Sequence, residues 1–190
     1  IGEYSSLVKM WSESLQKFLV DEMIEAIVLD EFFFHHKPEI WKGYLDNQLK
    51  RIIRPSVKEV VNTWDSPRVF IGEVVAVDDE YMSVTNIFED ETIRLRRESD
   101  KPIPVDVHLY CFILPDGTFK ESHYLAVSNL IFFSTDHKKV FSGLVEQFSS
   151  QKEQTISVFL KENGIGFWKL LVEDGYDGGE FTNLQGGELN

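Results

Sequence analysis

A chain of 190 residues with 43% hydrophobic and 27% charged side chains has the composition of an ordinary globular protein and is long enough to bury a substantial core. Its 32 acidic and 19 basic side chains give a net charge of −13, which disfavours generic binding to nucleic acid. A single cysteine, Cys111, excludes an intrachain disulfide and a cysteine-based zinc site.

The first 66 residues predict a helical region. Apolar side chains recur at three- and four-residue spacing over residues 4–34, which indicates one long helix. Pro38 suits the first turn of a second helix, whose apolar positions run from Ile40 to Ile53, and Pro55 breaks or restarts that helix. We expect these helices to form an antiparallel hairpin.

Residues 67–134 predict a compact β unit. Short strands are expected at residues 69–77, 81–87, 92–97, 105–114 and 124–133, each bounded by turn-rich or charged residues. This even spacing is typical of a small antiparallel β-barrel or a strongly curled sheet. Gly72 lies inside the first strand and predicts a bulge or a sharp bend there. The unit carries twelve acidic and six basic side chains, so it is the most acidic part of the chain.

The remaining residues predict a C-terminal helical region at 135–172 and a flexible acidic tail at 173–190. The helix is expected over roughly residues 137–163, with a weak point at residues 149–151 and an end at Gly164-Ile165-Gly166. The predicted fold class is therefore α+β, with an N-terminal helical hairpin, a small barrel or curled sheet, and a C-terminal helix.

Residues able to carry catalysis are sparse. The five histidines show no spacing typical of a metal site, so we predict no metal and no cofactor. Cys111 is expected to be buried and inert, and residues three apart on a strand face opposite sides, which separates it from His108. The acidic triplets at 78–80 and 89–91 are interpreted as turn residues. An enzyme with a site built from His108, His123 and nearby carboxylates is the last-ranked hypothesis.

Two basic groups are the candidate contact residues for a partner. The first lies in the second helical segment and the second crowds one strand, where residues 94 and 96 alternate onto one face of the sheet. The alternative, which we favour, is that these cations pair with acids of the same chain. The candidates are Lys50, Arg51, Arg54, Lys58, Arg94, Arg96 and Arg97.

Three stretches carry a family resemblance. They are EFFFHHK at 31–37, WDSPRVFIGEV at 64–74 and YMSVTNIFEDET at 81–92. Through these stretches, the segment of about residues 30–115 resembles a poorly characterised group of bacterial cytosolic proteins that carry a SEC-C zinc motif. That cysteine-rich motif is absent here, so the resemblance implies that it lies outside these 190 residues. The group offers no reaction to transfer, and the resemblance implies an accessory or binding role.

These observations favour a non-enzymatic interaction module that binds an unknown protein partner. An RNA- or ribosome-associated protein is the alternative, although the net charge disfavours it. The chain has no secretory signal and no apolar run of about 18 residues, so we expect a cytoplasmic location and no membrane. Because it begins at Ile1 and not at a methionine, we expect a piece of a larger protein.

Overall fold

The computed structural model describes residues 2–117, 121–133, 138–151, 154–174 and 182–183. The helical elements are α1 (Gly2–Leu15), α2 (Asp21–Glu31), a π-helical turn (Phe32–His36), α3 (Pro38–Leu49), α4 (Pro55–Asn62), α5 (Lys138–Ser150) and α6 (Ile156–Asp174). The strands are β1 (Arg68–Val77), β2 (Tyr81–Asn86), β3 (Thr92–Arg96), β4 (His108–Pro115), β5 (His123–Ala126), β6 (Ile131–Phe133) and β7 (Thr182–Asn183).

Five strands close into a barrel, as the sequence predicts. The order is β1-β2-β3-β5-β4, and β4 pairs back onto β1. One neighbouring pair, β3 and β5, runs parallel, whereas the other pairs are antiparallel. Strand direction cannot alternate all the way round a ring with an odd number of strands, so closure itself requires one parallel pair. β6 extends the sheet from β4, and β7 pairs with β6.

Strand β4 and the first half of β1, residues 69–72, are buried on both faces. One set of their side chains, which includes Phe70 and Leu109, fills the barrel interior. The alternate set, which includes Ile71 and Tyr110, packs outside the barrel against α1, α2, α5 and α6. This two-sided burial explains why β4 reads as a continuous apolar run instead of an alternating pattern.

The predicted helix over residues 4–34 is wrong, because the chain turns after Leu15 and resumes at Asp21. A single helix of that length would extend about 45 Å at 1.5 Å per residue. The break lets α2 return along α1, so that both helices bury apolar side chains in the same outer core: Leu7, Trp11, Leu15, Ile24, Ile27 and Val28.

At the C-terminal end the predicted weak point at 149–151 is confirmed, since α5 ends at Ser150. The predicted end at residues 164–166 is wrong, because α6 continues to Asp174. A Cβ atom on Gly164 would lie 3.2 Å from the ring of Trp11, so the glycine permits close packing of α6 on α1. Burial of Phe167, Trp168 and Leu171 beyond it offsets the cost of glycine in a helix. The predicted tail at 173–190 lies outside the described residues except for the end of α6 and for β7.

Gly72 lies at a tightly packed point of the barrel wall. A Cβ atom there would lie 2.6 Å from the Thr85 carbonyl oxygen and 2.7 Å from a methyl group of Val84. The β1–β2 register shifts between Val74 and Ala76, two residues beyond Gly72, where the sequence predicts the irregularity.

We therefore expect Gly72→Ala to destabilise the protein by about 1–3 kcal/mol, because backbone and side chains must move to admit the methyl group. Urea unfolding measures this change. Gly43 on α3 is the matched control: a Cβ there meets no atom within 4 Å, so Gly43→Ala is expected to raise stability by up to about 1 kcal/mol. Equal effects of the two substitutions would contradict the tight packing at Gly72.

Candidate functional site

Helices α3 and α4 form a hairpin within the segment that the sequence predicts as one second helix, and this hairpin is anchored at its base. Each helix begins with a proline at its first turn. The indole Nε1 of Trp41, near the start of α3, donates a 2.7 Å hydrogen bond to the carbonyl of Trp64, just past the end of α4. This bond joins the start of one helix to the end of the other, so the two helices run in opposite directions. Trp64 in turn donates to the Pro115 carbonyl at the end of β4, at 2.9 Å.

Beyond this base, the hairpin is unusually exposed. Leu45 is the only buried residue of α3 and Val61 is the only one of α4. At the tip, Ile53 is 94% exposed and Val57 is 42% exposed. Large apolar side chains left in water by a well-ordered element are typical of a surface that another molecule covers.

The first predicted basic group lies at this tip. Residues 47–58 hold four of the 19 basic side chains of the chain and no acidic one. All four side chains are exposed, and none forms an ion pair with a residue that the structure describes. These four cations and the two apolar residues between them are called the hairpin surface: Lys50, Arg51, Ile53, Arg54, Val57 and Lys58.

The second basic group lies on the barrel, and two of its three arginines pair with acids, as the favoured interpretation expected of both groups. Arg94 forms an ion pair with Asp78 and lies over the ring of Tyr81. A nitrogen of Arg96 lies 3.8 Å from the carboxylate of Asp116. The guanidinium of Arg97 donates to the backbone carbonyls of Asp78 and Lys101, at 2.6 and 2.9 Å. These cations are therefore committed to contacts within the barrel.

Asp78 organises this end of the barrel. Its Oδ1 accepts the backbone N–H groups of Tyr81 at 2.8 Å and Glu80 at 3.0 Å, and its other oxygen pairs with Arg94. The Tyr81 N–H, the Arg94 guanidinium and the Glu80 N–H together lower the pKa of Asp78 to about 2. The acidic triplet at 78–80 is thus a structural turn and supplies no catalytic carboxylate pair.

Because its folded pKa lies below the unfolded value near 3.9, Asp78 contributes stability above about pH 4 and loses that contribution as the pH falls to about 2. We expect Asp78→Asn to melt at a lower temperature than the wild type at pH 7, and the gap to close between about pH 4 and pH 2. Thermal unfolding across this range measures it. Asp79→Asn, at the neighbouring exposed turn position, is the control and should follow the wild type.

The residues proposed for an enzyme site are not brought together. His108 begins β4, and its ring stacks on Phe141 of α5 at 4.3 Å. His123 lies near Tyr81, beyond the opposite end of β4, where its carbonyl accepts the N–H of Asp116. The two histidines are separated by the length of β4, roughly 20 Å or more at 3.3 Å per residue. Cys111 points into the barrel interior, on the face opposite to His108, and burial raises the pKa of its thiol.

A buried polar cluster was not anticipated from the sequence. Glu31 is 2% exposed, and its Oε1 accepts the hydroxyl of Tyr110 on β4 at 2.8 Å. Its Oε2 lies 2.7 Å from Nδ1 of His35, and because a carboxylate oxygen accepts, the ring donates from Nδ1. The i, i+4 spacing of Glu31 and His35 within an apolar run is the signal that could have revealed this pair. Tyr110, 79 residues away, carries no such signal.

We expect Tyr110→Phe to lower stability by about 1–3 kcal/mol, because it leaves a buried carboxylate oxygen of Glu31 without its donor. Chemical denaturation provides the measurement. Tyr44 on α3 is 54% exposed, so Tyr44→Phe should change stability by less than about 0.5 kcal/mol. A Tyr110→Phe protein as stable as the wild type would show that this bond does not fasten the helices to the barrel.

Two general features complete the description of the site. The described ranges hold no group of three or more histidine, cysteine, aspartate or glutamate side chains placed to bind a metal ion together. In the same part of the chain, no helix combines the length and the apolar character needed to cross a membrane.

No family model, no curated protein and no solved structure matches this chain. The resemblance to SEC-C proteins therefore stays a prediction.

Proposed function

We propose that this chain is a non-enzymatic interaction module and that the hairpin surface binds a protein partner whose contact face is acidic and apolar. The observation that carries the proposal is the tip of the hairpin, where Ile53 and Val57 are exposed among four cations that have no ion-pair partner in the described residues. The apolar side chains would supply the buried centre of the interface, and the cations would form its rim.

Charge complementarity supports an acidic partner. The chain as a whole carries −13, yet residues 47–58 carry four positive charges and no negative one. A compact positive patch on a negative molecule orients the approach of an acidic protein and repels basic ones. The partner would therefore arrive with the hairpin tip facing it.

The charges on the barrel surface favour a protein partner over RNA. Five-stranded barrels of the oligonucleotide-binding class contact nucleic acid through strands 2 and 3 and the adjoining loops. Here the arginines of that face, Arg94 and Arg96, are paired with acids, and the β1–β2 loop carries the acidic triplet at 78–80. That face therefore offers little net attraction to phosphate. The unpaired cations of the hairpin surface are the one feature that favours the RNA alternative.

On the SEC-C resemblance alone, we further propose that the module acts within a larger bacterial cytosolic protein. A zinc-binding segment elsewhere in such a protein would be separate from the hairpin surface, and the binding proposed here does not depend on it.

The test uses the full chain as bait, with two variants of the hairpin surface: Ile53→Asp, and Lys50→Glu combined with Arg54→Glu. Lys17→Glu combined with Lys101→Glu changes the net charge equally at exposed positions away from the hairpin and is the matched control. We expect one acidic protein to bind the wild type and the control directly. Each hairpin variant should weaken the affinity of that purified protein by about tenfold or more. The affinity should also fall with added salt.

Two outcomes would contradict the proposal. Binding that survives both hairpin variants would place the interface elsewhere. Binding that disappears after ribonuclease treatment would support the RNA alternative instead. Circular dichroism of each variant shows whether the fold is retained, since all the substituted positions are exposed.

A further inference from the structure

A row of polar side chains crosses the barrel wall where the helical cover ends. Glu73 of β1 lies directly opposite Thr85 of β2 on one side and His108 of β4 on the other. Residues opposite each other in antiparallel strands project from the same face of the sheet. The ring of His108 stacks on Phe141 of α5, so this face is the outer one. Three neighbouring strands therefore present a hydroxyl, a carboxylate and an imidazole side by side.

Helix α5 lies over this row and leaves a cavity of about 270 Å³ between itself and the barrel. Four of its residues line the space: Lys138, Phe141, Ser142 and Val145. Their spacing places them on one face of the helix, which forms the roof. We call this space between the polar row and the roof the α5 cavity. Its volume lies near the lower end of the range found for sites that hold small molecules.

The walls of the α5 cavity differ in polarity with depth. Nζ of Lys138 donates a 3.0 Å hydrogen bond to Oε1 of Glu73, and the two side chains are 51% and 32% exposed. His108 and Phe141 are almost fully buried, and their rings stack in parallel with centres 4.3 Å apart. Ile87 adds a further apolar side chain to the lining. The cavity thus combines an ion pair on its solvent side with a largely apolar interior.

The ion pair limits the kind of molecule that fits. Among the described residues that line the cavity, Glu73 and Lys138 are the only aspartate, glutamate, lysine or arginine. A ligand with a single charge pairs with one of them and leaves the other uncompensated beside apolar walls, which is unfavourable. A zwitterion pairs with both. Because an ion pair this exposed contributes little to stability, its two groups can exchange each other for a ligand at little cost.

We propose that the α5 cavity binds a free α-amino acid with an apolar side chain. The ammonium group of the ligand pairs with Glu73, its carboxylate pairs with Lys138, and its side chain lies against Ile87, Phe141 and Val145. An α-amino acid carries both charges on one carbon atom, which suits two protein groups only 3.0 Å apart. The cavity shares no residue with the hairpin surface, so this inference does not depend on the proposed protein partner.

Titration of the full chain with L-valine, L-leucine and L-phenylalanine tests the proposal, followed by calorimetry and by amide NMR chemical shifts. We expect saturable binding of at least one of them with a Kd of about 1 mM or tighter. The shifts should concentrate at Glu73, Thr85, His108 and Ser142. The N-acetyl derivative of the tightest ligand lacks the ammonium group, and its amide derivative lacks the carboxylate. Each derivative should bind about tenfold more weakly or worse, and so should glycine, which has no apolar side chain.

Two variants locate the site. Glu73→Gln removes the charge that pairs with the ammonium group and should weaken binding by about tenfold or more. Ser142→Trp fills the cavity with an indole and should abolish binding. Glu3→Gln is the control for the first variant, since Glu3 forms a surface ion pair with Lys37 at 2.6 Å. Ser149→Trp, at an exposed position of α5 outside the cavity, is the control for the second. Both controls should bind the ligand as the wild type does.

Three results would overturn the proposal. The first is the absence of saturable binding for all three amino acids. The second is an N-acetyl derivative that binds as tightly as its parent, which would indicate a site for single anions. The third is unchanged binding by the Ser142→Trp protein, which would place the ligand elsewhere. Circular dichroism shows whether each variant retains the fold.

Discussion

The carboxylate of Glu31 joins the helical layer to the barrel. It lies in the core, at 2% exposure, and accepts bonds from Tyr110 on β4 and from His35 one turn later in the chain. A buried carboxylate is unfavourable unless its oxygens have donors. Apolar packing alone would allow the helices to shift along the outer face of the barrel. The hydrogen bond between Glu31 and Tyr110 fixes one position. The π-helical turn that follows places His35 within reach of Glu31.

The barrel can accept this layer because β4 is covered on both sides. Its alternate residues fill the barrel interior, and the others, including Tyr110 and Phe112, face α1, α2 and α6. The helices thus cover the outer face of β4, β6 and the first half of β1, while β2 and β3 have polar side chains on their outer face. On that polar face cations and acids pair with each other, as Arg94 of β3 does with Asp78.

The α3–α4 hairpin stands apart from this arrangement. It is fixed at its base by Trp41 and Trp64, but its tip covers no part of the core. Other described segments also expose large apolar side chains, such as Val20 and Val105 at 50%, but none is as exposed as Ile53 at 94%. This basic and apolar tip is the feature on which the proposed recognition of a partner depends.

Local sequence determined much of this architecture. Periodicity and backbone chemistry over a few residues determine the run of strands after residue 67 and the prolines that begin α3 and α4. They also determine the tight position of Gly72 and the opposite faces of His108 and Cys111. Only the tertiary structure decided which arginines are paired, where the first helix breaks, that α6 continues past Gly164, and that Glu31 meets Tyr110. Those outcomes depend on contacts between residues far apart in the chain, and no local pattern encodes the energies of such contacts. Packing against Trp11 makes Gly164 favourable within a helix, and barrel closure brings Tyr110 beneath α2.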